Sequence, residues 1–292
     1  MQIWKVGDVT ITSVVESQTK LPAEFLFPQA TVEAIKNIAW LAPDFADIEG
    51  QLSLAVQTLV VRTPDMLIVV DTCVGNDREG RVLPFWNNLH TGFLDDLAKA
   101  GVDRKKVDIV LCTHLHPDHV GWNTMLEDGQ WIPTFPNARY LIGKTEFEHW
   151  NIQRESSEMS PIFMDAIDPI LSADLYTMVD ERHRICPEVF LVPTPGHTPG
   201  HVSVQIESGS QKALITGDFI HHPCQMVHPQ WTEVADVDPA LGVATRREAL
   251  AKCADRSVLV VGTHFPAPAG GYVNSDGETY RFVPQDSSSA NV

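Results

Sequence analysis

Apolar runs along the chain predict two groups of β-strands with helices between them. The first group covers residues 53–63, 66–72 and 106–112, with Pro64 and Asp65 at the turn between the first two strands. The second group covers residues 189–193, 201–207, 212–216 and 257–261. Near the start of the chain, Gly7 and Asp8 mark the turn of a further hairpin. Two strand-rich groups predict two sheets packed face to face with helices outside.

Helical spacing of apolar residues predicts three helices outside the sheets. The first, at residues 93–100, is closed by Gly101, a residue type that ends helices in the left-handed conformation. The second covers residues 161–176. The third covers residues 239–254, with Asp238 as its N-cap and a proline at its first position.

The segment 20–47 is rich in Phe, Trp, Pro and Ala and fits neither strand group. We therefore predict one domain over residues 1–292, with a lid or insertion at residues 20–47. Aromatic side chains there and farther along predict either an apolar pocket for acyl or aryl groups or ordinary core. They are Phe25, Phe27, Trp40, Trp86 and Trp122. The short polar tail at residues 285–292 is expected to be frayed.

The charge balance narrows the choice of partners. The 292 residues include 21 basic and 38 acidic side chains, a formal net charge of −17, which disfavours nucleic acid and anionic membranes. No apolar run approaches the roughly 18 residues that cross a bilayer, and the N-terminus lacks the pattern of a signal peptide. Five cysteines at irregular spacings do not form a disulfide framework, so we expect a cytoplasmic protein.

Four candidate metal ligands follow the strand that ends at Cys112, namely His114, His116, Asp118 and His119. His114 and His116 are two residues apart, which places both on one face of an extended segment. The next two ligands follow where the chain turns and can reach a second position nearby. Imidazole and carboxylate ligands suit zinc. One histidine after a strand is usually a surface residue, but four such groups at this spacing predict a metal site.

Three strands of the second group end in a similar way. A glycine or proline bends the chain, and a ligand-type residue follows: His197 in GHTPGH, Asp218 in GD and His264 in GTH. Strand ends that deliver His or Asp toward one rim predict a site supported by rigid elements.

The motifs HxHxDH, GHTPGH, GD and GTH, in this order over residues 53–264, resemble those of the metallo-β-lactamase superfamily. The resemblance implies an α/β fold, the αββα four-layer sandwich, and two divalent metal ions, with zinc as the first choice and manganese, iron or cobalt as alternatives. It implies that His114, His116 and His197 hold the first metal, that Asp118, His119 and His264 hold the second, and that Asp218 bridges both. Asp71 matches an aspartate of the family, and we interpret it as a hydrogen-bonding residue behind the ligands or a turn carboxylate.

Two metal ions about 3.5–4 Å apart share a hydroxide that attacks a carbonyl or phosphoryl centre. Asp118 would orient this nucleophile and pass its proton to the leaving group. The second catalytic candidate is His221, which occupies the position where similar lactonases usually carry a tyrosine, three residues after the bridging aspartate. His221 would stabilise an oxyanion or protonate a leaving group, and its alternative is a supporting or surface histidine.

The bridging-type Asp218 points away from true β-lactamases and toward hydrolases that resemble this chain more closely. We predict a binuclear hydrolase that cleaves an ester or lactone, acting on a small molecule with an apolar acyl or aryl group. The alternatives are an organophosphate (phosphotriester) hydrolase, a thioesterase of the glyoxalase II kind and a persulfide dioxygenase with one iron. A glutathione thioester would need cationic residues, but Arg246 and Arg247 are expected on a solvated helix face. The oligomeric state stays open, with a homodimer as one option.

The remaining thiols are not needed for this chemistry. Cys73, Cys112 and Cys224 are expected to be buried or incidental, although Cys224 follows Asp218 closely enough to line the pocket.

Overall fold

The computed structural model describes residues 1–285, so the predicted frayed tail lies outside the described residues from residue 286 onward. The strands are β1 (Gln2–Val6), β2 (Val9–Pro22), β3 (Gln51–Arg62), β4 (Leu67–Val70), β5 (Ile109–Leu111), β6 (Thr124–Glu127), β7 (Gln130–Pro133), β8 (Arg139–Gly143), β9 (Tyr176–Val179), β10 (Val189–Pro193), β11 (Val202–Ser208), β12 (Gln211–Ile215), β13 (Val258–Val261), β14 (Gly270–Asp276) and β15 (Thr279–Pro284). The α-helices are α1 (Ala23–Leu26), α2 (Val32–Lys36), α3 (Phe93–Lys99), α4 (Pro117–Val120), α5 (Lys144–Ile152), α6 (Met159–Ile162), α7 (Asp168–Ser172), α8 (Cys224–Val227) and α9 (Pro239–Cys253).

Most of these strands belong to two sheets. Within residues 1–285, one sheet has the strand order β1-β2-β3-β4-β5-β8-β9 and the other has the order β10-β11-β12-β13-β14-β15. Strands β6 and β7 form a separate hairpin. The neighbours β4, β5, β8 and β9 run parallel, as do β12 and β13. The two predicted strand groups therefore lie in separate sheets, which confirms the predicted division.

Alternation along β3 and β4 explains how the layers pack. Leu59 and Ile68 point into the main core cluster, which also contains Val204 of the second sheet. Val60 and its neighbours on the opposite face pack with Phe93 of α3 in a second cluster. Helix α9 contributes to the main cluster from beyond the second sheet. The order of layers is helix, sheet, sheet, helix, as the resemblance implied.

Local signals in the sequence mark several element ends correctly. Gly7 has a φ of +58° in the turn between β1 and β2, and Gly101 has a φ of +76° after α3. The carboxylate of Asp238 accepts a hydrogen bond from the Leu241 amide at 3.0 Å and caps α9. Four of the five cysteines are buried, and all five are free thiols. These predictions are confirmed.

The predicted helix at residues 161–176 is wrong at its C-terminal end. Helix α7 ends at Ser172, and Tyr176 begins β9 instead. Asp174 between them has a φ of +53°, a left-handed conformation that stops the helix. The apolar residues after this point belong to β9, which pairs with β8. The helical spacing of the sequence did not indicate this pairing.

The segment 20–47 begins as part of the first sheet and contacts the core. Strand β2 continues to Pro22, where it pairs with Gln51 of β3. Phe27 and Phe45 are at most 1% exposed and belong to the main core. Buried residues such as Phe27 and Phe45 thus anchor the segment to the core, and its role as a lid over residues 20–47 stays a prediction.

Between residues 1 and 285, no helix is both long enough and apolar enough to cross a membrane.

Candidate metal centre

The seven predicted ligands come from loops at the ends of four strands. After β5, the chain passes through His114 and His116 and enters α4, whose first turn carries Asp118 and His119. His197 lies in the loop after β10, Asp218 follows β12 and His264 follows β13. Because β12 and β13 run parallel, their ends lie side by side at one edge of the sheet. The structure brings all seven side chains together.

The first cluster consists of three imidazoles, the buried His114 and His197 and the half-buried His116. His116 Nδ1 lies 3.0 Å from His114 Nε2 and 2.9 Å from His197 Nε2. Burial, reinforced by the neighbouring imidazoles, lowers the pKa of each of these histidines well below its usual range. Neutral imidazoles whose nitrogens converge are the form in which histidine binds a metal ion.

The second cluster consists of Asp118, His119 and His264. His119 Nε2 lies 3.2 Å from His264 Nε2. Asp118 Oδ2 lies 3.7 Å from the first of these nitrogens and 3.5 Å from the second. One ligand atom from each residue is therefore near a common point.

Asp218 lies between the two clusters. Its Oδ2 atom is 3.2 Å from the Nε2 atoms of both His119 and His264, and 3.8 Å and 3.6 Å from those of His114 and His197. Its Oδ1 atom is buried and has no hydrogen-bond partner among the described residues. A buried carboxylate oxygen without a partner costs free energy unless a cation binds there, so the donor set fits two metal ions.

The electrostatics of the centre favour positive charge. Burial alone would raise the pKa of Asp218, but the neighbouring histidines, His119 first, lower it well below its usual range. Burial would likewise lower the pKa values of His119 and His264. The carboxylates outweigh burial, so the pKa of His119 is raised and that of His264 rises to about 9. The buried carboxylates therefore stabilise cations at this point, either protons or metal ions.

Four of the ligand histidines have a contact at the second ring nitrogen, the one that points away from the other ligands. Such outer contacts fix the orientation of the ring. Hydrogen bonds join His114 to Thr113 Oγ1 at 3.1 Å, His197 to Asp236 Oδ1 at 3.0 Å and His264 to the Ala55 carbonyl at 3.0 Å. His119 Nδ1 lies 3.0 Å from Asp71 Oδ2 in an ion-pair contact that lacks hydrogen-bond geometry. Asp71 also accepts the Thr113 amide at 2.7 Å. The structure thus favours the orienting interpretation of Asp71 over a simple turn carboxylate.

Several residues around the centre were missed by the sequence reasoning. Asp236 lies in the loop before α9, 39 positions after its partner His197, and no local pattern marks it. His201 Nε2 accepts the Asp218 amide at 2.7 Å, and the second histidine of GHTPGH was a signal that could have revealed this role. Glu233 is buried 3.9 Å from His197 Nδ1, and burial raises the pKa of Glu233 to about 7.

His221 points into the centre, whereas the next residue points away. Its Nε2 atom lies 3.1 Å from Asp218 Oδ2, and its ring stacks on that of His264 with centroids 5.6 Å apart. Its Nδ1 atom is buried without a partner in the described part of the chain. His222 instead bonds to the Phe45 carbonyl at 2.9 Å, inside the core. The surface alternative for His221 is therefore wrong.

The metal centre forms the floor of a cavity of about 820 Å³. Its walls are mainly apolar, and they include Leu21, Phe25, Val82, Phe85, Trp86 and Leu89. Of the five aromatic residues considered for a pocket, Phe25 and Trp86 line it. Phe27, Trp40 and Trp122 pack in or against the hydrophobic core, and Cys224 is buried away from the cavity lining.

Arg246 does not lie on a solvated helix face as expected. It is fully buried, and its guanidinium donates to the carbonyls of Phe219, Pro229 and Trp231 at 2.7 to 3.0 Å. Helix α9 packs its Arg246 side against the loop that follows Asp218, whose carbonyls need donors. The guanidinium of this arginine therefore stabilises the loop through these hydrogen bonds.

The sequence places the protein in a known family. Residues 54–264, more than half of the chain, match the model of the metallo-beta-lactamase superfamily. The chain belongs to this superfamily.

Two curated relatives are similar over part of their length. The N-acyl homoserine lactonase of Bacillus thuringiensis subsp. kurstaki is 28% identical over 180 residues, which is 57% of this chain and 64% of the relative. A probable metallo-hydrolase of Mycobacterium tuberculosis is 26% identical over 181 residues, 59% of this chain and 58% of that protein. The chain thus spans less than two thirds of the relatives it matches.

Solved structures share the fold over nearly the whole chain. A dizinc quorum-quenching lactonase in complex with a product has a TM-score of 0.80 and 23% identity, covering 98% of this chain and 97% of its own. A hydrolase described as belonging to the beta lactamase superfamily has a TM-score of 0.79 and 24% identity, with the same coverage. At these identities, the likeness shows the fold.

Proposed function

We propose that the protein is a two-metal hydrolase that cleaves the carboxylic ester bond of a lactone or an ester with an apolar acyl group. The observation that carries this proposal is the position of Asp218, whose Oδ2 atom lies within 3.8 Å of nitrogens from both ligand clusters. Such an atom suits a bridge between two ions. Zinc is the first choice for both, with manganese, iron or cobalt as alternatives.

When bound, two metal ions polarise a substrate oxygen and make a nucleophile from water near neutral pH. The chain's own residues do the rest. Asp118, whose side chain is 11% exposed, faces the cavity and holds the proton that a water nucleophile gives up, for transfer to the leaving oxygen. The apolar walls bind the acyl group and keep bulk water away from this transfer.

In this proposal, His221 donates a hydrogen bond or a proton to the substrate. Its ring is 6% exposed and lines the cavity beside Asp218. An imidazole N–H at this position donates a hydrogen bond to the carbonyl oxygen as negative charge develops there, or gives a proton to the departing alkoxide. Similar lactonases usually carry a tyrosine at this position, which is also a donor.

The apolar lining of the cavity is suited to binding an apolar acyl group. Phe25 and Phe85 are 39% and 48% exposed, and Val82 is 65% exposed, yet all three line the cavity. Exposed apolar side chains grouped around one opening mark a binding site for an apolar ligand. The relative named N-acyl homoserine lactonase and the structural neighbour described as a dizinc lactonase support the same substrate class.

Two alternatives have less support. A glutathione thioester needs cationic groups near the cavity, but Arg246 is buried and bonded elsewhere, and Arg81 in the wall is paired with Asp165 at 2.8 Å. A persulfide dioxygenase with one iron would not need the second cluster of Asp118, His119 and His264. A phosphotriester hydrolase would use the same floor, so it becomes an outcome of the experiment.

A panel of three substrates with the same decanoyl group and one phosphotriester tests the proposal. Zinc-loaded protein of measured metal content would receive a decanoyl homoserine lactone, an aryl decanoate, a decanoyl thioester and an aryl phosphotriester. We expect the highest kcat/KM for the lactone or the aryl ester, and a lower value for a lactone with a butanoyl chain. Turnover of the phosphotriester alone would contradict the proposed substrate class.

A further inference from the structure

Glu146, in the first turn of α5, is a buried carboxylate with four hydrogen-bond donors around it. It is 1% exposed. The donors are the Leu115 amide at 3.1 Å and Trp150 Nε1 at 2.6 Å on Oε1, and Thr198 Oγ1 at 2.7 Å and the Gly200 amide at 3.1 Å on Oε2. Charged acceptors form the stronger hydrogen bonds, so this carboxylate holds its donors firmly.

One oxygen of Glu146 holds the loop of the first two ligands. Leu115 lies between His114 and His116, so its amide fixes the backbone from which both imidazoles project. Trp150, the other donor to this oxygen, packs its indole against His116 with ring centroids 5.4 Å apart. A shift of the carboxylate therefore reaches both ligands.

The other oxygen of Glu146 holds the loop of the third ligand. Thr198 and Gly200 follow His197 directly in the chain. A side chain at Gly200 would place its Cβ 2.2 Å from the Glu146 backbone nitrogen, so only glycine lets this loop approach α5. The close approach brings the loop within reach of the carboxylate.

We propose that Glu146 is a positioning residue that sets the spacing of His114, His116 and His197 and thereby the affinity of the first metal site. This inference rests on the proposed metal centre. In the part of the chain that the structure describes, none of the four bonds of Glu146 reaches Asp118, His119 or His264. The effect should therefore be confined to one of the two sites.

The test is zinc binding by Glu146→Gln. Glutamine keeps the size of the side chain, but its amide N–H₂ would face one pair of donors, so one of the two loops loses its acceptor. Competition with a chromophoric chelator should show one zinc equivalent bound about 10–100-fold more weakly, the loss typical of a residue behind a ligand. The second equivalent should keep its wild-type affinity.

Glu16 provides a matched control. It is a half-buried carboxylate that also has four donors, from two backbone amides, one tryptophan and one threonine: Val74, Gly75, Trp122 and Thr91, at 2.6 to 3.4 Å. None of these donors lies in the loops that carry the first cluster. Glu16→Gln should lower the melting temperature as Glu146→Gln does, yet keep the wild-type affinity for the zinc equivalent that Glu146→Gln weakens.

A milder variant guards against loss of folding. Thr198→Val keeps the shape of the side chain and removes only the 2.7 Å bond to Glu146. It should weaken the same zinc equivalent by several-fold. Wild-type affinity for both equivalents in Glu146→Gln and Thr198→Val, with only the melting temperature lowered, would overturn the inference. Wild-type protein that binds two zinc ions but hydrolyses no ester would overturn the proposed function and leave this inference standing.

Discussion

The floor and the wall of the cavity are built in opposite ways. The floor consists of ligands at the ends of four strands, five of the seven buried, and four of its histidines have a second contact. The wall consists of apolar residues from loops and short helices, among them Phe25, Val82 and Phe85, which are 39 to 65% exposed. Several contacts therefore fix each ligand of the floor, whereas the wall side chains contact protein on one side and solvent on the other.

This difference separates the chemistry from the choice of substrate. A buried polar group that loses its partner costs about 1–3 kcal/mol and shifts its neighbours, so the floor tolerates little change. An apolar side chain that is already partly exposed can be trimmed at small cost in stability. Changes in the floor should alter the turnover number, and changes in the wall should alter the substrate range.

The largest effect should come from Asp218→Ala. Asp218 lies next to ligands of both clusters, so its loss should release metal and lower kcat/KM by more than Asp71→Ala does. Asp71 acts only through neighbours, His119 at 3.0 Å and the Thr113 amide at 2.7 Å, where about 10–100-fold is expected. Zinc content and kcat/KM of the two variants, measured side by side, check this. Equal losses would show that Asp218 is not the bridge.

His221→Ala should lower kcat by about 10²-fold with little change in KM, because it removes a donor that acts mainly in the transition state. His222→Ala is the matched control, since its ring bonds to the Phe45 carbonyl in the core. That variant should lose stability but keep its turnover number.

The choice of ester reveals which role His221 has. An aryl ester with a good leaving group should be spared by His221→Ala if the residue donates a proton, and should suffer equally if it stabilises an oxyanion. Unchanged activity on every ester and lactone would leave His221 without a catalytic role.

A smaller effect is expected from Phe25→Ala in the wall. Complete burial of such a side chain contributes about 1.5–3 kcal/mol, and Phe25 is only partly covered, so KM for a decanoyl substrate should rise about tenfold or less. A small activated ester should be turned over as before. Ile152→Ala, at a residue that is 85% exposed and outside the cavity lining, should change neither value. A common fall in kcat for both substrates would assign Phe25 to the core.

The ligands of the floor could be predicted from the sequence because they occur in short, local sequence patterns. His114, His116, Asp118 and His119 occupy one short stretch after a strand, and His197, Asp218 and His264 each follow a strand and a glycine. The same strand pattern predicted the two sheets. Strand ends are rigid and ordered along the chain, so local pattern and three-dimensional position coincide there.

The residues that contact the ligands or their loops from outside the site could not be predicted in this way. Asp236 contacts His197 across 39 positions of sequence, and Glu146 contacts the two ligand loops across 31 to 54 positions. Neither follows a strand end that carries a ligand. Arg246 looked like a surface residue of a helix because its partners are backbone carbonyls, which leave no trace in the sequence. Tertiary contact, not local pattern, determines these roles.

We propose that the ligands on the cavity floor hold two metal ions that act together in ester hydrolysis. The most direct test is to titrate metal-free protein with zinc and to follow bound zinc and hydrolysis of a decanoyl homoserine lactone in the same samples. The two-metal account predicts that about two equivalents bind and that activity keeps rising until the second equivalent is bound. Saturation at a single equivalent, or two bound equivalents without hydrolysis of any lactone or ester, would contradict it.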